Sequence, residues 1–64
     1  MKVTATMDVQ NLPIKGLSKD YVVVRQVDGD LWYYGQYDSE AKAREVAIEI
    51  GNGLVIERKE CING

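Results

Sequence analysis

The sequence predicts an α+β fold, a two-layer domain in which an antiparallel sheet of three to four strands carries one helix on one face, in the order β-β-β-α-β. Three observations predict it. Residues 21–37 hold all five aromatics, one Trp and four Tyr, in two β-rich runs separated by Asp28-Gly29. That dipeptide is the strongest short-range hairpin signal. Ala43, Val46, Ala47 and Ile50 recur at helical spacing and form one apolar stripe. Strand-like runs at 2–10 and 54–59 flank this hairpin-helix unit, and elements in that sequence pack as a sheet with a helix across it.

Each element has a local reason. In 2–10, reading KVTATMDVQ, Val3, Ala5, Met7 and Val9 alternate with Thr4, Thr6 and Asp8, the period of a half-buried strand. Residues 11–20 contain Pro13, Gly16, Ser18 and Asp20, which is turn chemistry. Leu12, Ile14 and Leu17 are expected to pin this stretch, the longest connection in the chain, to the domain edge. Long connections of this kind often carry function.

The hairpin has two open registers. A two-residue turn at Asp28-Gly29 sets Val24 against Tyr33 and Arg25 against Trp32. A three-residue loop sets Val24 against Trp32. The first is the expected one, and a slip of one residue exchanges the faces of a strand. Asp38-Ser39 then offers a helix N-cap, with Glu40 in the first turn and an Arg44 partner one turn on. Gly51 ends the helix, reinforced by Asn52-Gly53. Residues 54–59 make the last strand, and 60–64 are expected to fray.

Sixty-four residues make one domain, and a chain this short buries only about 60% of its unfolded surface. The single Cys61 allows no intrachain disulfide, and without histidine no ordinary zinc site can be assembled. Self-association is left as a source of further burial. The net charge of −2 and pI near 4.9 count against tight DNA binding and fall far short of a nucleic-acid mimic. With no apolar leader or spanning run, a reduced, cytoplasmic setting is expected.

The core arithmetic points to a surface. The hairpin carries large side chains in both parities, with Val22, Val24, Leu31 and Tyr33 on one face and Tyr21, Val23, Trp32 and Tyr34 on the other. One helix cannot bury both sets. The face it leaves would be aromatic, with Arg25, Gln36 and Arg58 among the rings, unless residues 11–20 fold over it. Such a patch marks a binding surface, and Tyr, Trp and Arg are the residue types of interface hot spots. The expected partner-binding anchors are Tyr21, Arg25, Trp32 and Tyr34.

Chemistry has no comparable footing. Asp28-Gly29-Asp30 lacks the spaced ligands and terminal Glu of a calcium loop. Nothing brings Asp30, Glu45, Glu49 or Glu57 together as an acid/base pair, and no nucleophile accompanies them. Cys61 reads as an incidental thiol. Gly51-Asn52-Gly53 follows a helix instead of opening one, so it is no phosphate cradle. No catalytic residue, cofactor or metal is expected, and the chain reads as a non-enzyme.

Residues 35–43, GQYDSEAKA, resemble the strand-to-helix junction of AP2-like DNA-binding domains, which runs Gly, small or polar, aromatic, Asp, Ser/Thr, then a helix with Ala at this place. Trp32-Tyr33-Tyr34 is similar to that family's Trp-containing last strand, with Trp one position further from the Gly. The likeness covers roughly 21–50 and implies three strands and a helix. It also implies an open sheet face on which Arg25 and Trp32 read the major groove. The chain departs from the pattern in its acidity, its lack of further arginines there, and a strand after the helix. In size and style it also resembles the small accessory or inhibitor proteins of phages and mobile elements. The function expected is protein interaction through an aromatic sheet face, the partner being another protein or a second copy, with AP2-like DNA binding by the same face as the alternative.

Overall fold

The computed structural model describes residues 7–63, and the side chains of residues 8–59. The chain is α+β in the expected order. Strands β1 (Met7–Gln10), β2 (Tyr21–Val27) and β3 (Asp30–Tyr37) precede helix α1 (Glu40–Ile50) and strand β4 (Gly53–Glu57). A 3₁₀ turn, Arg58–Glu60, then leads into a fifth strand, β5 (Cys61–Asn63). The early part of the first expected strand, 2–6, lies outside the described residues, as do Gly64 and the Cys61 side chain.

The local signals operate as written. Asp28 (φ 50°) and Gly29 (φ 85°) both adopt the left-handed region, the signature of the two-residue turn whose twist matches a hairpin. The register follows: Val24 faces Tyr33 and Arg25 faces Trp32. Ser39 caps α1, its Oγ accepting the Lys42 N–H at 3.2 Å. Gly51, at φ 84°, closes the helix by donating its N–H to the Ile48 carbonyl at 3.2 Å. Glu40 and Arg44 pair at 3.1 Å.

The sheet differs from expectation in two ways. It is mixed and five-stranded, ordered β4-β2-β3-β1-β5. β2 is antiparallel to β3 and β4, but β1 is parallel to both β3 and β5. An all-antiparallel sheet would need residues 11–20 to turn back beside β1. Instead they carry the chain past β3 to β2. Within the tail, Cys61–Asn63 does not fray: it pairs with β1 from Met7 to Val9 and so covers an edge of β1 that would otherwise be bare.

Two crossovers fall on opposite faces. β3 and β4 both oppose β2 and so run the same way, which demands a crossover; α1 supplies it over β2 and β4. Residues 11–20 make the other crossover on the far face. β2 therefore has cover on both sides, and Val22, Val23 and Val24 are all fully buried, the continuous apolar run of a doubly covered strand. Val22 and Val24 cluster with Val9 and Ile56, flanked by Leu12, Leu17, Leu31, Tyr33 and Leu54. Val23 clusters with Ala43 and Ala47, flanked by Tyr21, Tyr37, Val46, Ile50 and Val55.

The connection between outer strands bends the whole sheet. Flat, five strands would hold β4 and β5 about 19 Å apart. Glu57 and Cys61 are joined only through Arg58–Glu60, a span of at most about 14 Å. The sheet must curl, and it does so around the cluster of Val9, Val22, Val24 and Ile56, to which β1, β2 and β4 all contribute.

Candidate functional site

α1 covers β2 and β4 and reaches only part of β3. The rest of the helix-bearing face stays open towards β1. Arg25 and Trp32 stand there as direct cross-strand partners. Each alternates with neighbours, Val24 and Tyr33, that point into the opposite cluster. Tyr34 joins them by strand alternation, two residues beyond Trp32, and marks the point where β3 bulges. Val23 pairs with Gly35 and Val24 with Tyr33, so Tyr34 is the extra residue. Bulges re-aim the side chains that follow them.

The result is an open recess of about 380 Å³ lined by Asn11, Arg25, Val27, Trp32, Tyr33 and Tyr34. Trp32 is 43% exposed and Tyr34 47%. Asn11, at φ 61°, turns the chain directly after β1, a conformation that Asn tolerates well. Arg25 donates from Nε to Asn52 Oδ1 at 3.5 Å. Asn52 is itself fixed, its Nδ2 donating to the Gln26 carbonyl at 3.2 Å and its own carbonyl accepting from the Gln26 N–H at 2.9 Å. The turn after the helix thus orients the guanidinium. Lys19, Lys42, Arg44, Arg58 and Lys59 each pair with a carboxylate; among the described residues Arg25 has no such acidic partner.

The expected anchors divide. Arg25, Trp32 and Tyr34 come together. Tyr21 does not: it faces Tyr37 at the other end of the hairpin and packs in the cluster under α1. The expectation that the anchors occupy the face opposite the helix is also corrected. They stand on the helix's own face, beyond its reach, because residues 11–20 and the curl of the sheet claim the parity of Val22, Val24, Leu31 and Tyr33.

The bulge moves the side chains beyond it. Past Tyr34 the parity of β3 inverts, so Gln36 leaves the rings and its Oε1 accepts the Ser18 and Lys19 N–H groups at 2.8 and 2.9 Å. Arg58 sits at the corner after β4, its N–H donating to the Asp20 carbonyl at 2.8 Å and its guanidinium 3.7 Å from the Asp20 carboxylate. Leu12 and Leu17 pin residues 11–20 as expected, but Ile14 is fully exposed. The turn that bonds Gly16 N–H to the Pro13 carbonyl at 2.9 Å directs it outward.

Asn11, Val27 and Tyr33 are lining residues that sequence reasoning missed. Val27 was within reach, since it shares Arg25's parity. Asn11 was not, because it depends on the parallel pairing that sets Gln10 beside Trp32.

Among the described residues, no three His, Cys, Asp or Glu side chains stand close enough to hold a metal ion. No helix there is long and apolar enough to cross a membrane. Compared with protein families, curated proteins and solved structures, the chain matches none.

Proposed function

We propose that the chain is a small, non-enzymatic protein-interaction module that docks a partner protein, or a second copy of itself, at the recess formed by Arg25, Trp32 and Tyr34. The observation that carries this reading is two aromatic rings, each nearly half exposed, at a concave site beside a guanidinium that has no acidic partner among the described residues. Each ring has about 150–250 Å² to bury, and Trp, Tyr and Arg are the side chains whose burial dominates interface energetics. The setting we assign is the cytoplasm, and the role that of an accessory or inhibitor protein of the phage kind. Trp32→Ala should abolish partner capture, or lower self-association seen by light scattering, while the circular dichroism spectrum stays unchanged. If capture and oligomeric state both survive the substitution, the reading is wrong.

One observation supports DNA as an alternative partner. Arg25 and Trp32 are cross-strand neighbours on an open surface, as the AP2-like resemblance requires. Among the described residues the recess has a single cation, however, and the chain is net acidic. Duplex binding that falls steeply with salt and depends on Arg25 would favour DNA; absence of a mobility shift at about 50 mM salt would remove it.

A further inference from the structure

We infer that the recess takes an acidic peptide segment: an extended stretch of a partner protein that sets one Asp or Glu on Arg25 and an adjacent apolar side chain against Trp32 and Val27. This rests on the docking reading above and names its ligand.

Size argues first. A volume of about 380 Å³ lies near the lower end of the roughly 300–1,000 Å³ typical of ligand sites. The six described lining residues cannot by themselves supply the roughly 800 Å² per partner of a standard protein interface. A few residues of extended chain suit the recess better than a second folded surface.

Charge argues next. Among the described residues Arg25 is the one charged side chain lining the recess, and it lacks an acidic partner there. Its contact with Asn52 involves Nε at the long distance of 3.5 Å, which orients the guanidinium without neutralising it. A planar guanidinium presents paired donors that match a carboxylate. Asn11 adds an amide at the rim, suited to a peptide backbone. The surroundings make the register one-sided. Asp30 pairs with Val27 across the turn, and alternation puts it on the same face as Trp32. A ligand carboxylate is therefore attracted at Arg25 and repelled at the hairpin tip, where an apolar or basic residue fits. The same acidic neighbour disfavours a polyphosphate backbone.

The chain's single tryptophan lies in the recess, so intrinsic fluorescence reports occupancy directly. The full chain would be used to select from a displayed random heptapeptide library fused through its C-terminal end, which presents no terminal carboxylate. The strongest sequence would then be synthesised with both ends blocked and titrated by Trp32 fluorescence. The expected result is selection of Asp or Glu next to an apolar residue. Arg25→Gln should weaken binding about tenfold or more. Exchanging the peptide's acid for its amide should weaken it similarly, and the two changes together should cost little more than either alone. Selected peptides without an acid, or indifferent to Arg25→Gln, would overturn the inference; if their capture is still lost in Trp32→Ala, the docking reading survives it. Selection of nothing, with a stable dimer in solution, would also overturn it and leave a second copy as the occupant. Selection of nothing by a monomer would end both.

Discussion

Gly53 sets how closely helix and sheet approach. A Cβ at this position would lie 2.6 Å from the Ala47 Cα, 2.8 Å from its carbonyl oxygen and 2.9 Å from its Cβ. Two of those three atoms belong to the helix backbone, which cannot rotate aside. Gly53→Ala should therefore push α1 off β4 and cost about 1–3 kcal/mol, read as a lower urea midpoint. Gly29 is constrained for a different reason. Nothing lies within 4 Å of its hypothetical Cβ, but its φ is 85°, so Gly29→Ala should cost about 1 kcal/mol through backbone strain alone. A crowding cost is relieved when the helix backs away from the strand and a strain cost is not. Neither could be ranked from the sequence, where both are simply glycines beside turn residues.

Between residues and the whole, the element that decides most is the connection 11–20. Leu12 and Leu17 close the cluster inside the curl, and Gln36 holds the connection by accepting two consecutive backbone N–H groups. Gln36→Ala should cost about 1–2 kcal/mol, since the half-buried Lys19 amide loses its acceptor. Amide hydrogen exchange should then quicken across 11–20 while α1 remains protected; equal loss of protection in the helix would refute a local clamp. The hairpin turn and both helix caps were legible in the sequence because their chemistry is local, written in Asp28-Gly29, Ser39 and Gly51. The bulge at Tyr34 was not. It settles where strand alternation resets, and so moves Gln36 and Tyr37 to faces that a regular strand would not give them. Arg25, Trp32 and Tyr34 could be named from their type, whereas their place beside the helix followed from crossovers that no local pattern encodes.

At the scale of the molecule, burial and backbone pairing hold the fold and surface charge contributes little. The five ion pairs among the described residues join exposed side chains, between 44% and 79% accessible, and such pairs are worth little and are screened by salt. Raising salt from about 0.05 to about 0.5 M should change the unfolding free energy by less than about 1 kcal/mol; a larger fall would mean that an ion pair contributes far more than its exposure allows. β5 should matter more. Removing residues 61–64 bares the edge of β1, so β1 amides should exchange faster and the melting temperature should fall. The pairing of β1 with β3 and β5 was illegible because parallel partners are remote in sequence, and neither strand advertises the other.

That arrangement has a mechanical consequence. β1 enters the sheet at Met7 and β5 leaves it at Asn63, side by side and pointing the same way. Tension applied to the two ends of the chain drags these strands in opposite directions along their common length. Their ladder is then loaded in shear, every bond strained together, whereas pulling β2 from β3 at the open end of the hairpin peels bonds singly. Stretched from its ends in a force spectrometer, the molecule should yield at a higher force than when pulled across that hairpin. The three residues of β5 would act as a latch against extension.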